Sequence, residues 1–304
     1  MEATATPPTA SVQTVPSSSA TITYNRTEVD GVGIFYREAG PKNAPTIVLL
    51  HGFPSSSVGF ATLIPLLAPR YHVIAPDYPG FGESDAPPPS QYTYTFDHLA
   101  STMTGLLEQL GVSQYSLYIF DFGAPVGFRM MMAHPERLQT LIVQNGNAYQ
   151  EGLGAKWKVI AQYWADPKAH PEVADAFMSL EAAKVRHISG SPNTERYDPQ
   201  VWENEYAWLS RPGVRPIQEA LLYDYQTNVE SYPRWQAWLR QYQPPTMVAW
   251  GGYDSSFISA GGEAYKRDLP EAEIHILEAD HFALDEKVDE IASLILTFLK
   301  KHVG

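Results

Sequence analysis

The chain has no cysteine in its 304 residues, which excludes disulfides, thiolate catalysis and cysteine-bound metal. Positive charge is scarce: 21 Lys and Arg stand against 34 Asp and Glu, a formal net charge of −13. A nucleic-acid partner requires a basic face, so none is expected, and the acidic balance reads as solubility. No apolar run approaches the ~20 residues of a membrane span, so no membrane partner is expected either. The nine histidines form no H-E-x-x-H or other tight ligand spacing, and neither metal nor organic cofactor is expected. Residues 1–20 lack both lysine and arginine and any continuous apolar block, the two features of a secretory signal. They read as a disordered tail rich in Ala, Thr, Ser and Pro, and the default location is cytoplasmic.

What is present is a hydrophobic fraction of 44%, enough for one large core with an inserted module. Strand-like patterns cover 21–28 and 33–38, with Asp30-Gly31 between them as a hairpin signal. Buried strands then alternate with helices: strands over 46–50, 71–76, 116–120 and 139–144, helices over 58–67, 96–110 and 124–134. Uninterrupted apolar strands separated by helices predict a mostly parallel α/β sheet covered on both faces. Between Tyr149 and Gln243 the strands stop, and a Trp-, Tyr- and Pro-rich stretch reads as helices and loops. Alternation resumes with strands over 246–250 and 272–277 and helices over 262–268 and 285–302. The expected organisation is a tail over 1–20, a core formed by 21–148 and 244–304, and a helical cap over 149–243.

In open parallel sheets ligands sit beyond the carboxyl ends of the strands. Four polar signals fall there: His51-Gly52-Phe53-Pro54 after Leu50, Asp121 after Phe120, Asp254 after Trp250, and His281 after Leu277. Asp121 stands at the corner of a strand that breaks into a helix, where Gly123 and Ala124 remove side-chain bulk and Pro125 fits the first turn. This is the setting of a nucleophile elbow, normally G-x-S-x-G, with a carboxylate in place of the hydroxyl. Each residue also has a plainer role: Asp121 as a helix N-cap, Asp254 as a turn residue in Gly-Gly-Tyr-Asp, His281 as a helix-start histidine, His51 as a loop residue. Their conjunction and chain order, acid, acid, histidine, point to catalysis.

The strings HGFPSSS (51–57), APDYPGFGESDAP (75–87), FDFGAPVGFR (120–129), WGGYDSSF (250–257) and ADHFALDE (279–286) together resemble the α/β-hydrolase fold superfamily. Specifically, they resemble its aspartate-nucleophile branch of epoxide hydrolases and haloalkane dehalogenases, over roughly residues 21 to 304. The resemblance implies an α/β-hydrolase fold with a helical cap and a catalytic triad. Asp121 would form an alkyl ester, His281 would activate water, Asp254 would orient the imidazole, and the backbone N–H groups of Phe53 and Phe122 would receive the oxyanion. One departure is Ile119, a bulky residue where the branch carries a small one, which predicts crowding beside the turn.

Leaving-group chemistry separates the two activities. A departing halide needs N–H donors, and Phe122 and Phe53 stand where dehalogenases place Trp and Asn. Fluoroacetate dehalogenases carry Arg after the nucleophile, where Phe122 and Pro125 stand here, so small anionic acids are disfavoured. An epoxide needs a proton donor: the string LYDYQTN (222–228) is similar to the tyrosine-bearing stretch of epoxide hydrolase caps and implicates Tyr225, with Tyr163 as its candidate partner. Trp164 is the candidate halide donor that keeps dehalogenation open. The expected substrate is small and hydrophobic, opened to a vicinal diol by a monomer or homodimer. The alternatives are haloalkane or haloacid dehalogenation, ester hydrolysis, and a non-catalytic ligand-binding role.

Overall fold

A computed structural model describes residues 21–303; the tail read from residues 1–20 lies outside the described residues. Strands β1 (Thr23–Val29) and β2 (Val32–Ala39) form the hairpin, and Asp30 (φ 49°) and Gly31 (φ 80°) both adopt the left-handed backbone that a two-residue turn of this kind needs. There follow β3 (Thr46–Leu50), α1 (Ile64–Leu67), β4 (His72–Pro76), α2 (Phe96–Gln109), β5 (Tyr115–Phe120), α3 (Gly123–Ala133) and β6 (Leu138–Gln144). Six helices are then inserted among the described residues: α4 (Trp157–Ala165), α5 (Pro171–Phe177), α6 (Leu180–Ile188), α7 (Gln200–Leu209), α8 (Val214–Asp224) and α9 (Gln226–Tyr242). The chain returns to the sheet as β7 (Thr246–Gly251), α10 (Ser259–Asp268), β8 (Glu273–Leu277) and α11 (Leu284–His302).

The eight-stranded sheet has the order β1-β2-β4-β3-β5-β6-β7-β8. The pairs β1/β2 and β2/β4 are antiparallel and the rest parallel. This is the mostly parallel α/β sheet that the alternation of apolar strands and helices predicts, and it agrees with the α/β-hydrolase fold that the resemblance implies. Period-2 geometry sends successive strand residues to opposite faces. Val48, Leu50, Leu117 and Ile119 join the core under α2 and α3, while Ile47, Leu49, Tyr118 and Phe120 join the core under α1 and α11.

The expected helix over 58–67 is instead a 3-10 turn, Ser57–Phe60, followed by the short α1. Pro65 explains the break: it has no N–H to donate back one turn, so a helix can hold it only in its first turn. The crowding expected at Ile119 is relieved by its neighbour. A Cβ at Gly127 would lie 2.5 Å from Ile119 Cγ2, so the space beside the elbow is made by a glycine one helix turn into α3.

Among the described residues no helix is long and apolar enough to cross a membrane. The inserted helices are tied to the core segment that carries His281. Gly190 N donates to Asp280 Oδ2 (2.5 Å), Ser191 Oγ donates to Glu286 Oε2 (3.2 Å), and the Tyr197 hydroxyl donates to Glu286. Buried His187 on α6 bridges Asp285 Oδ2 (2.7 Å) and Glu205 Oε2 (3.0 Å), and its ring stacks on Phe282. Burial alone would lower the His187 pKa, but Glu205 and Asp285 outweigh it and raise it to about 9. A folded-state value above the ordinary 6.5 stabilises fully below pH 6.5 and is lost as pH rises through about 9. His187 is therefore expected to contribute about 3 kcal/mol that is lost between pH 6.5 and pH 10, read from thermal denaturation as the pH dependence of the stability difference between the wild type and a His187→Gln variant.

Candidate active site

Asp121 occupies the corner between β5 and α3 with φ 50°, a left-handed conformation that costs a non-glycine residue about 1 kcal/mol or more. The turn lifts the carboxylate off the sheet, yet only 8% of the residue is exposed. Gly52 makes the approach feasible, since a Cβ there would stand 2.4 Å from Asp121 Cβ. The adjacent Phe53 N–H donates to Asp121 Oδ1 at 2.6 Å. Phe122 begins the first turn of α3, where backbone N–H groups have no partner within the helix.

His281 is buried on the loop between β8 and α11. Its Nδ1 lies 2.6 Å from Asp254 Oδ2, and its Nε2 faces Asp121 Oδ2 at 3.6 Å. The first distance is a short charge-assisted bond; the second exceeds a hydrogen bond, so Nε2 and Oδ2 are close but not engaged. Burial would raise the Asp254 pKa, but His281 and Lys156 prevail and hold its carboxyl below the usual range. Its other oxygen, Oδ1, accepts the Ser256 (2.6 Å) and Phe257 (3.1 Å) N–H groups. Asp121, His281 and Asp254 are thus brought together from three strand ends.

Asn145, absent from the sequence-derived candidates, completes this set. Its Nδ2 donates to Asp254 Oδ2 (2.8 Å) and its Oδ1 accepts the Gly251 N–H (2.8 Å), joining the ends of β6 and β7. Its φ of 41° is a conformation asparagine tolerates better than most residues. The Asn145-Gly146 dipeptide directly after an apolar strand was the available signal. His51 is spent on the loop: Nδ1 contacts Gly52 O (3.0 Å), Nε2 accepts the Tyr78 N–H (3.3 Å), and burial lowers its pKa to about 3.

The site is walled by rings. Phe53 packs on Phe122 (5.4 Å) and stacks on Phe177 of α5 (4.4 Å), while Phe96 meets Phe122 edge-on (5.0 Å). Tyr225 covers Phe122 (5.7 Å) and is itself flanked by Trp157 (4.6 Å) and Trp164 (6.4 Å). Burial, then Tyr232 and Asp121, push the Tyr225 pKa well above its ordinary value. The Tyr232 hydroxyl, which accepts from Asn147 Nδ2 (3.0 Å), is near enough to act on that of Tyr225. Tyr232 and Asn147 are further residues that the sequence reading missed, because eight tyrosines lie between 149 and 243 and nothing local ranks them.

Two expectations need correction. Tyr163 is not paired with Tyr225: the charged groups acting on its hydroxyl are Glu219 and Arg215 of α8. On α4 it follows Trp157 by six positions and is rotated about 100° from Trp164, off the face those tryptophans turn to Tyr225. Trp164 does border Tyr225, but its indole N–H donates to Leu222 O (2.8 Å) near the C-terminal end of α8, where carbonyls lack helical partners. Trp157 likewise donates to Ser256 O (2.9 Å). Neither indole offers a free N–H to a halide.

A mostly parallel sheet with an acid on a strand-to-helix elbow, and a histidine and second acid at later strand ends, defines an enzyme-type α/β scaffold. The chain belongs to the alpha/beta hydrolase fold family, which matches residues 45–288. It is 40% identical over 278 residues to an uncharacterized hydrolase of Saccharomyces cerevisiae, covering 90% of this chain and 95% of that protein. It is 27% identical over 317 residues to epoxide hydrolase 1 of Siraitia grosvenorii, covering 92% and 99%. Among solved structures, the haloalkane dehalogenase DbeA of Bradyrhizobium elkani superposes with a TM-score of 0.75 at 19% identity, covering 92% of this chain and 100% of that one, a likeness of fold.

Proposed function

We propose that the protein is a hydrolase that opens epoxides to vicinal diols through an alkyl ester on Asp121. The observation that carries this reading is the division of labour on one carboxylate: Oδ1 is held by the Phe53 N–H at 2.6 Å, while Oδ2 is turned to His281 Nε2 at 3.6 Å. Oδ2 attacks an epoxide carbon, the C–O bond of the ring breaks, and its electron pair goes to the ring oxygen, which takes a proton from Tyr225. A buried phenol whose pKa is raised stays protonated over the working pH range, as a donor to a nascent alkoxide must.

In the second step His281 Nε2 removes a proton from water, and the resulting hydroxide adds to the ester carbonyl carbon. The charge on Oδ1 is received by the Phe53 and Phe122 N–H groups, an interaction worth about 3 kcal/mol per donor. Asp254 stabilises the imidazolium so formed; collapse of the tetrahedral intermediate breaks the ester bond, the departing diol oxygen takes the proton from His281, and the hydroxyl proton left on the Asp121 carboxyl restores Tyr225 to the phenol. The inserted helices act as the cap that supplies Tyr225 and an apolar roof. The relative named an epoxide hydrolase agrees with this reading. Against dehalogenation stand Phe53 and Phe122 in the donor positions and the spent indoles of Trp157 and Trp164.

Single turnover of styrene oxide in ¹⁸O-water tests the route. The first diol should carry unlabelled oxygen from Asp121, and peptide mass spectrometry should find ¹⁸O in Asp121 afterwards. Label in the first diol with none in Asp121 would instead show Asp121 acting as a base for water. Halide release from 1,2-dibromoethane, run beside it, should fall far below diol formation.

A further inference from the structure

Two of the strings singled out in the sequence end in residues that the reaction above does not use: Arg129 closes FDFGAPVGFR, and Thr227 and Asn228 close LYDYQTN. In the folded chain they meet. Arg129 lies on α3, about two turns into the helix that Asp121 precedes, and its side chain is only 14% exposed. Its Nη1 donates to Asn228 Oδ1 (2.8 Å) and to Pro125 O (3.1 Å), and its Nη2 donates to Thr227 Oγ1 (3.1 Å). The guanidinium carbon stands 5.8 Å from the centre of the Phe96 ring and 5.7 Å from that of Trp235. One cation therefore ties the nucleophile's helix to the start of α9.

That start is where the proton donor sits. Tyr225 is the single residue between α8, which ends at Asp224, and α9, which begins at Gln226, so the direction of its side chain depends on how this joint is docked. Both sides of the joint are held. Before it, Asp224 Oδ2 accepts the Phe96 N–H (2.8 Å) at the start of α2; after it, Thr227 and Asn228 receive Arg129. Thr227 Oγ1 also donates back to Asp224 O (2.8 Å), and the Asn228 N–H donates to Tyr225 O (2.9 Å), so the arginine grips residues that are themselves bonded across the joint. Phe96, beside the guanidinium, meets the Tyr225 ring at 5.6 Å and the Phe122 ring at 5.0 Å.

An ordinary surface ion pair does not account for this placement. Arg129 Nε also donates to Asp97, but that carboxylate is 85% exposed, and a pair so open to water contributes little. Asn228, by contrast, is fully buried, and its Nδ2 has no hydrogen-bond partner among the described residues. An apolar residue there would orphan nothing. What offsets the unpaired donor is the charge-assisted bond that Asn228 Oδ1 accepts from Arg129. The planar fork of an arginine reaches Asn228, Thr227 and Pro125 at once, which the point charge of a lysine cannot do.

Building on the epoxide reading, we infer that Arg129 is a positioning residue for proton transfer: it docks the joint that carries Tyr225 onto the helix that begins beside Asp121. Acid and nucleophile, one from the inserted helices and one from the core, are thereby held in register through a single side chain. A misplacement of about 1 Å is enough to slow such a step on the order of 100-fold.

The test is a double-mutant cycle read on the first step alone, as the rate of adduct formation on Asp121 in His281→Ala proteins, by rapid quench and intact-mass spectrometry. With Tyr225 present, Arg129→Met should slow adduct formation from styrene oxide about 10- to 100-fold. In a Tyr225→Phe background, where no hydroxyl is left to place, it should slow it by less than about threefold. Thr227→Val leaves the arginine and removes one of its acceptors; it should follow the same pattern with a loss of about 3- to 10-fold, and it decides alone should Arg129→Met not fold. Equal slowing in the two backgrounds overturns the inference, because it marks a general disturbance of the elbow, and so does the absence of slowing when Tyr225 is present. A second arm needs no epoxide. Amide hydrogen exchange of the peptide 222–230 should speed up about tenfold or more in Arg129→Met, or in Thr227→Val to a smaller degree. Unchanged exchange there overturns the inference whatever the enzyme opens. If the His281→Ala parent gains no adduct from any epoxide, the epoxide reading fails, and faster exchange at the joint still sustains Arg129 as the residue that docks Tyr225.

Discussion

Replacing His281 by alanine should stop the enzyme after a single event, with one substrate mass added to each chain and located on Asp121 by peptide mass spectrometry. The first step needs a carboxylate oxygen within reach of the ring carbon and the proton of Tyr225, neither of which His281 supplies, and Asp121 Oδ2 is not tied up, standing 3.6 Å from His281 Nε2. The second step needs a base to deprotonate water, and His281 is the basic group held there by Asp254 at 2.6 Å. Removing it blocks ester hydrolysis while the Phe53 N–H still grips Oδ1. Steady-state turnover should fall by about 10⁴-fold or more, on the scale of losing a member of such a set. An unmodified variant after incubation with active substrates, over a range of epoxides, would remove Asp121 as the nucleophile.

Replacing Tyr225 by phenylalanine should slow epoxide opening by about 10²- to 10⁴-fold, the usual yield of a positioned general acid. The aromatic wall keeps its shape in this variant, because the ring that packs on Phe122 and Trp157 is unchanged and only the hydroxyl is lost. Adduct formation, measured by rapid quench, should slow by the same factor, since the proton is needed when the ring oxygen leaves. Tyr232→Phe should have a smaller effect, because Tyr232 acts on the Tyr225 hydroxyl and does not itself donate to the ring oxygen in this route. A Tyr225→Phe enzyme that alkylates itself at the wild-type rate would assign the proton to another donor.

Much of the scaffold was legible in the chain because its signals are local. Apolar strands such as Thr46–Leu50 can only be buried on both faces, and Asp30-Gly31 can only close a tight hairpin. Asp121, Asp254 and His281 could be singled out because strand ends in such a sheet lie on one edge, so three distant segments must converge there. The helix over 58–67 failed on a single residue, Pro65. Tyr163 and Trp164 were misjudged for a different reason. A helix residue's neighbour depends on which face is turned inward and on what a facing helix end leaves unpaired, and neither is written in α4 alone.

The succession of strands and helices along the chain, the elbow carboxylate and its two distant companions follow from the sequence by itself, since burial periodicity and turn chemistry act over a few residues. Tertiary structure alone decided that Gly127 makes room for Ile119, that Asn145 supports Asp254, and that Tyr232 lies beside Tyr225. It also decided that Arg129 meets Thr227 and Asn228 beside the joint that carries Tyr225. These are contacts between side chains on separate elements, governed by the relative rotation and docking of whole helices, and no short stretch of chain encodes such a quantity.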